Sequence, residues 1–340
     1  WPLFAVLWTE MLLRAARGAS SRLVAVATPR APIPAGIRFA QPSLPPLPRL
    51  LSTQARSQRG ERGSLFAELK RCRRREDVAR LEATLQPLRT TKEWNQFITA
   101  HAKVGDRRRA FGILDEMRQA GCEPDVFSYS ILINMCARSK DWKTAVSLLR
   151  EMPDAGLSPN VVSYSAAISA CEKAGRWEEA LSLLREMFAA GVQPDVISYS
   201  AAISACEKAG RCNEALSLRR EMPAAGLRPN VVSYSAAISA CEKGGQWEKA
   251  LSLLREMPGA GVRPNVISYN AAISACEKAG RCDEALSLLR EMPGAGVQPE
   301  VISFNATISA CEKAGRWEEA VSLLREMPDA GLPPNVVSYS

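Results

Sequence analysis

The stretch SYSAAISACEK occurs three times in this chain, at residues 163–173, 198–208 and 233–243. The copies begin 35 residues apart, and the segments between them are closely similar as well. A fixed period of roughly 20–50 residues is typical of tandem-repeat proteins, in which each copy is one supersecondary unit. The fold therefore depends on the structure of one copy and on how neighbouring copies pack.

Seven complete units of 35 residues align in this register, and we number them 1 to 7. Residues 336–340 begin an eighth unit, and residues 61–90 have the pattern of a degenerate helical pair, which we expect to form an N-terminal cap. The seven units span residues 91–335, and their boundaries are 91–125, 126–160, 161–195, 196–230, 231–265, 266–300 and 301–335.

Each unit predicts two short helices, as unit 3 illustrates. Gly175 is placed to end the first helix in a left-handed conformation, while Glu178 and Glu179 suit the first turn of the second. Gly191 and Pro194 then close the unit in a turn. Apolar residues recur at helical spacing in both halves: Tyr164, Ile168 and Cys171 in the first, and Ala180, Leu184 and Met187 in the second.

One such hairpin cannot bury both apolar stripes, whereas stacked neighbours can. The expected fold is therefore all-α, a right-handed α-solenoid of helix-turn-helix repeats with a concave face. In several units a proline follows the methionine of the second helix, as at Pro153 and Pro223. We expect these prolines to end the second helix a turn early.

The composition excludes several classes of protein. Apolar residues make up 46% of the chain and charged residues 24%, an ordinary globular balance. His101 is the only histidine, and the ten cysteines form no C-x-x-C pair, so no metal or cofactor is expected. One cysteine per unit lies on the first apolar stripe and is predicted to be a core residue: Cys136, Cys171, Cys206, Cys241, Cys276 and Cys311.

The net charge of +8 is concentrated at the N-terminus. Residues 1–90 carry 16 basic and six acidic side chains, whereas residues 91–340 carry 28 and 30. Residues 1–60 hold eight arginines, no lysine and one acid, with seven prolines between Pro29 and Pro48. This composition predicts a disordered, transit-peptide-like segment for import into a mitochondrion or chloroplast. A plain basic tail and a truncated secretory signal are the alternatives. The opening apolar run, Trp1 to Trp8, is too short for a membrane span.

A 35-residue helical hairpin that ends in G-x-x-P-[DN] and carries EAL-x-L-x-x-EM in its second helix resembles the pentatricopeptide repeat family, in its P-type arrays. The resemblance covers residues 91–340. Tetratricopeptide repeats are the alternative, but their W-x₂-L-G pattern is absent from the first helix. The resemblance implies sequence-specific binding of single-stranded RNA at about one base per unit.

The resemblance also implies that the fifth and last residues of a unit together select the base. Family preferences give a target of roughly 5′-U-A-G-A-A-n-C-3′, in which n marks the pair Asn270/Glu300 that has no clear preference. The seven predicted pairs are Asn95/Asp125, Ser130/Asn160, Ser165/Asp195, Ser200/Asn230, Ser235/Asn265, Asn270/Glu300 and Asn305/Asn335.

Two further sets of RNA-binding residues are predicted, the first from the resemblance and the second from the regular row of cations that a solenoid would form. An apolar side chain at the second position is expected to clamp between bases: Phe127, Val162, Ile197, Val232, Ile267 and Ile302. Lys92 departs from this pattern in unit 1. A basic residue at the thirteenth position is expected to contact phosphate: Lys103, Arg138, Lys173, Lys208, Lys243, Lys278 and Lys313.

Simpler explanations exist for these residues. An Asn or Asp before a helix is a good N-cap, and a Lys near a helix C-terminus is favoured by the helix dipole. Taken together, the features predict a non-enzymatic RNA-binding protein of organellar RNA processing, stabilisation or translation, with possible protein partners and neither membrane nor small-molecule binding. The alternatives are a protein-binding scaffold, or the RNA-targeting part of an editing or nuclease enzyme.

Overall fold

The computed structural model describes residues 62–88 and 90–339, apart from the side chains of Val337 and Tyr339. The predicted targeting segment, residues 1–60, lies outside the described residues. Over the described ranges the chain consists of α-helices and short turns, without a β-strand. The prediction of an all-α chain is confirmed.

A helical pair precedes the first repeat. Residues 62–69 are helical, and α1, Arg75–Leu85, follows them after a short turn. Glu82 of α1 is buried and joins this pair to unit 1: its carboxylate lies 3.1 Å from His101 Nε2 and accepts hydrogen bonds from Arg109. Burial opposes ionisation of Glu82, but the hydrogen bonds from His101 and Arg109 outweigh it and lower its pKa.

Every unit contributes two helices of 13 residues. The first helices are α2 (Thr91–Lys103), α4 (Val126–Arg138), α6 (Val161–Lys173), α8 (Val196–Lys208), α10 (Val231–Lys243), α12 (Val266–Lys278) and α14 (Val301–Lys313). The second helices are α3 (Arg107–Gln119), α5 (Trp142–Asp154), α7 (Trp177–Ala189), α9 (Cys212–Ala224), α11 (Trp247–Gly259), α13 (Cys282–Gly294) and α15 (Trp317–Asp329). A short helix, α16 (Val336–Tyr339), begins the eighth unit.

Local sequence accounts for the ends of the first helix. Before α6, Asn160 Oδ1 accepts the backbone N–H of Ser163, and Ser163 Oγ accepts the backbone N–H of Asn160. This reciprocal capping box satisfies two N–H groups that the helix itself leaves unbonded. Gly175 has φ of +69° two residues before α7, so the chain reverses as predicted.

The expectation that proline shortens the second helix is wrong. α5 includes Pro153 and α9 includes Pro223, yet both have the same length as α7, which carries Phe188 at that place. Proline costs one hydrogen bond in the last turn, but the glycine turn that follows still satisfies the terminal carbonyl groups. In unit 2, for example, the Leu157 N–H donates to Met152 O over 2.8 Å.

The core is continuous from unit to unit. The most extensive backbone packing joins the first helix of one unit to the first helix of the next, and each second helix packs between the first helix of its own unit and that of the following unit. Small buried residues such as Ala202 and Ala205 on α8 allow this close approach. The six first-helix cysteines are fully buried, as predicted: Cys136, Cys171, Cys206, Cys241, Cys276 and Cys311.

Enlarging a small core residue should destabilise the array. Ala237 on α10 is fully buried, so we expect Ala237→Leu to cost about 1–3 kcal/mol through overpacking. Urea unfolding followed by circular dichroism measures this loss. The control Ser252→Leu changes an exposed residue of the same unit and should stay within about 0.5 kcal/mol. Equal stability of the two variants would contradict close packing at Ala237.

Candidate nucleic-acid interface

The second position of the first helix is apolar and exposed in six consecutive units. Its side chains are between 52% and 64% exposed, although their chemistry favours burial. Single exposed apolar residues are common, but the same register position repeated six times indicates a binding surface. The residues are Phe127, Val162, Ile197, Val232, Ile267 and Ile302.

In five of the seven units the fifth and last residues lie against each other, 30 residues apart in sequence. In unit 2 the fifth residue instead bonds to its own helix, with Ser130 Oγ donating to Val126 O over 2.7 Å. Ser165 Oγ lies 3.3 Å from Asp195 Oδ1, and Ser200 Oγ lies 3.5 Å from Asn230 Oδ1. The last residue also caps the following helix, so it projects from the start of that helix toward the fifth residue. The same contact joins Asn95 to Asp125, Ser235 to Asn265 and Asn305 to Asn335.

Helix capping engages only one of the two polar atoms of the last side chain. Asn230 Oδ1 accepts the Ser233 N–H over 2.9 Å, which fixes the orientation of the amide because only its oxygen can accept. Asp195 Oδ1 likewise accepts the Ser198 N–H. Asn230 Nδ2 and Asp195 Oδ2 bond to none of the described residues. Capping and base recognition are therefore compatible, and the free atom is a donor in Asn but an acceptor in Asp.

The fifth residue is less accessible than the last one. Ser130, Ser165, Ser200 and Ser235 are each only 7% exposed. Asn95 is also buried; its Nδ2 donates to Asp125 Oδ1, and its Oδ1 accepts from Ser128 Oγ. The last residue of a unit is therefore the more solvent-accessible member of each pair. The fifth residue is more buried and contacts the side chain of the last residue. Sequence spacing alone did not indicate this division.

In unit 1 the surroundings of the last residue, Asp125, favour its ionised form. Burial opposes ionisation of Asp125, but hydrogen bonds from Ser128 and Asn95 outweigh it and hold the pKa of this carboxyl group below its usual value. Asp125 is therefore a carboxylate at neutral pH, with acceptor atoms only.

Unit 6 departs from the common arrangement. Asn270 Oδ1 accepts a hydrogen bond from Ser303 Oγ over 2.6 Å, a bond that the fifth-position asparagines of units 1 and 7 also accept. Among the described residues, however, no hydrogen bond joins Asn270 to Glu300, unlike the pairs of those two units. Glu300 is exposed, and its backbone N–H donates to Ser303 Oγ. The longer Glu side chain changes the geometry at the one unit for which the sequence indicates no base.

Four of the seven predicted phosphate-binding cations are paired with carboxylates. In each pair a lysine at position 13 contacts a glutamate at position 12 of the preceding unit. The Nζ–Oε1 distance is 2.6 Å for Lys208–Glu172 and 2.7 Å for Lys278–Glu242. Lys313–Glu277 and Lys243–Glu207 form the same ion pair. The repeated Glu-Lys dipeptide is the sequence signal for this row of ion pairs. The pairs join different units, so the spacing of residues within one unit does not indicate them.

The remaining three cations differ from these four. The residue at position 12 is Ala102 in unit 1 and Ala137 in unit 2, so Arg138 and Lys173 have no glutamate opposite them and make no ion pair with the described residues. Lys103 donates to the carbonyl oxygen of Lys70 over 2.9 Å. Positive charge without a paired carboxylate in this row therefore lies in units 1 to 3, and the cations of units 2 and 3 make no hydrogen bond with the described residues.

One cleft brings the three predicted sets together. It has a volume of about 780 Å³ and lies between units 2 and 3. Its wall includes second-position, fifth-position, last-position and thirteenth-position side chains: Phe127, Val162, Ser130, Asp125, Asn160 and Arg138. Apolar, polar and cationic side chains thus surround a single space, which is the combination that a stacked base and its phosphate require.

Other kinds of site are not found in the described ranges. No group of three or more His, Cys, Asp or Glu side chains there could hold a metal ion. The helices described are also too short or too polar to cross a bilayer.

The geometry defines a class of protein, an α-solenoid of 35-residue hairpins whose first helices carry a repeated polar and apolar binding register. Family models agree with this class. Residues 53–218 match the pentacotripeptide-repeat region of PRORP, and four overlapping segments between residues 194 and 340 match the PPR repeat family. The chain belongs to the pentatricopeptide repeat family. None of the curated protein sequences matches it.

A solved structure shows the same fold. The crystal structure of the pentatricopeptide repeat protein PPR10 from maize superposes with a TM-score of 0.55 at 24% identity, covering 78% of this chain and 43% of the maize protein. The PPR domain of Arabidopsis thaliana protein-only RNase P 1 in complex with tRNA aligns at 19% identity over 51% of this chain and 91% of that domain, with a TM-score of 0.45. This chain thus spans less than half the length of the maize protein.

Proposed function

We propose that the array binds single-stranded RNA in a sequence-specific manner, one base per unit, with a target of roughly 5′-U-A-G-A-A-n-C-3′. The main support for this proposal is the cleft between units 2 and 3. Its wall combines the side chains predicted to clamp a base, to bond to its edge and to contact its phosphate. Because the units repeat every 35 residues, side chains of the same kinds recur along the first helices of units 2 to 7, although the cations of units 4 to 7 are paired with glutamates.

Each set of residues has a defined role in this proposal. The exposed second-position residues contact the faces of successive bases, and the free atom of the last residue bonds to the base edge. Asn230 Nδ2 offers a donor there, whereas Asp195 Oδ2 offers an acceptor, so the two units distinguish bases by the direction of a hydrogen bond. The fifth residue supports the last one and borders the same space.

The biological role we propose is passive. Occupying about seven nucleotides would protect a transcript from nucleases or alter its structure, in RNA processing, stabilisation or translation. The arginine-rich, acid-poor composition of residues 1–60 supports import into a mitochondrion or chloroplast. No catalytic step is assigned to this chain; any editing or nuclease activity would require a further domain.

Fluorescence anisotropy with labelled RNA tests the proposal. The deduced heptamer should bind at least about tenfold more tightly than a scrambled heptamer of the same composition, because each well-matched base edge contributes roughly 1–3 kcal/mol. A DNA version of the heptamer serves as a further comparison. Equal affinity for both RNA heptamers would remove sequence recognition, and no affinity for either would favour a protein-binding scaffold.

A further inference from the structure

Two pairs of cysteines bring their sulfur atoms together between neighbouring units. The Sγ–Sγ distance is 3.3 Å for Cys212 and Cys241, and 2.8 Å for Cys282 and Cys311. All four side chains are more than nine-tenths buried. The two pairs are separated by 70 residues and share one geometry, so the contact is a property of the register.

The register explains why only these cysteines are paired. Position 17, at the start of the second helix, faces position 11 of the next unit, which is cysteine throughout units 2 to 7. Position 17 is itself cysteine only in units 4 and 6. In units 2, 3 and 5 it is tryptophan, and an arginine of the next unit lies over its ring at 4.5–5.0 Å: Trp142 with Arg176, Trp177 with Arg211, and Trp247 with Arg281.

We propose that each cysteine pair is a reversible disulfide site that links adjacent units. Hydrogen peroxide would oxidise one thiol to a sulfenic acid and release water. The second thiol of the pair then attacks that sulfur, so an S–S bond forms, a second water leaves, and two thiols are oxidised for one peroxide reduced. A dithiol reductant reverses the step by exchange.

Each bond would join the second helix of one unit to the first helix of the next. A disulfide has an S–S length of about 2.05 Å, so closure requires a movement of roughly an ångström. The bonds would fix the angle between units 4 and 5 and between units 6 and 7. The angles at the three junctions with a tryptophan–arginine contact would still be able to change.

Burial governs the rate of the reaction. It raises the pKa of Cys311 to about 12, and that of Cys241 is raised as well, by burial and by the neighbouring thiol. Since the thiolate is the nucleophile, closure should be slow at neutral pH and faster as the pH rises. A pair already in contact still reacts ahead of thiols that have no partner, because its second step is intramolecular.

Differential alkylation of the full chain tests the proposal. The native protein is oxidised with hydrogen peroxide, unfolded in the presence of iodoacetamide, reduced, and labelled with N-ethylmaleimide before peptide mapping. We expect the second label on Cys212, Cys241, Cys282 and Cys311, with the mass of the oxidised protein lower by about 4 Da because four hydrogens leave. Cys171, Cys206 and Cys276 should carry the first label and act as internal controls.

Several results would overturn the proposal. Equal labelling of paired and unpaired cysteines would do so, and so would the same pattern after oxidation in urea, because an unfolded chain has no register. Peroxide that leaves every cysteine reduced, or oxidises them to sulfinic acid without a bond, would contradict it as well.

A gain of function provides a second, independent test. Trp247→Cys places a thiol opposite Cys276 by the same register, so oxidation should create a third bond and lower the mass by about 2 Da more. The control W142C/C171S should add no bond, because its partner cysteine has been removed. If W247C forms no bond although units 4–5 and 6–7 do, the register argument is wrong.

Discussion

Replacing Asn230 by Asp should change the base preference of unit 4 from adenine to guanine without altering the stability of the array. The substitution makes unit 4 identical to unit 3 at both base-selecting positions, since Ser200 is matched by Ser165 and the new side chain by Asp195. Asp and Asn are equally good N-caps, so the hydrogen bond from the Ser233 N–H persists. The free atom changes from a donor to an acceptor, and the side chain gains a negative charge, as in Asp195 of unit 3.

The expected affinity change is about tenfold or more in favour of the RNA with guanine at the fourth nucleotide. The reciprocal variant Asp195→Asn should shift unit 3 from guanine to adenine. Anisotropy titrations with four heptamers that differ only at these two nucleotides measure both shifts, and urea unfolding confirms unchanged stability. If both variants keep the wild-type preference, the last residue is a helix cap and nothing more.

Asn230→Ala separates the two roles further. It removes the cap along with the base contact, so it should cost about 1 kcal/mol of stability in addition to affinity. Comparing the Ala and Asp variants at one position thus distinguishes a folding effect from a recognition effect.

Removing both Arg138 and Lys173 should weaken RNA binding about tenfold or more and reduce its dependence on salt. These two cations have no carboxylate opposite them, so RNA phosphates meet their full charge. For single strands each phosphate contact contributes about 0.7 to the slope of log affinity against log salt, so the double alanine variant should lower that slope by roughly 1.4.

Lys243 is the matched comparison for this prediction. It occupies the same position but forms an ion pair with Glu207, so Lys243→Ala should change affinity within about twofold. Glu207→Gln should free Lys243 and raise affinity several-fold at low salt. Glu318→Gln, which removes an exposed charge from a second helix, controls for the change in net charge. Equal losses from Lys173→Ala and Lys243→Ala would show that the ion pairs do not matter.

The hairpin, its apolar stripes and its glycine turns could be predicted from the sequence because they depend on contacts within one period. Tyr164, Ile168 and Cys171 are buried as their spacing indicates. The effect of Pro153 was predicted wrongly, because a local rule for proline omits the stabilising turn that follows it.

Contacts between units were harder to predict. Lys208 and Glu172 are 36 residues apart, and Cys212 and Cys241 are 29 residues apart, so neither pair is visible within a single unit. The low exposure of Ser165 and its equivalents also depends on how adjacent first helices pack. These features require the stacked array, in which side chains of different units become neighbours.

The capping geometry at the end of each unit has an evolutionary consequence. Asn and Asp codons differ by a single nucleotide, and either residue closes the same box with the serine three positions later, as Asn160 and Asp195 do here. A mutation that exchanges them alters the outward-facing atom but not the fold. Under the proposed recognition of one base per unit, the preferred RNA sequence would therefore change by one nucleotide at a time, with every intermediate protein remaining as stable as its parent.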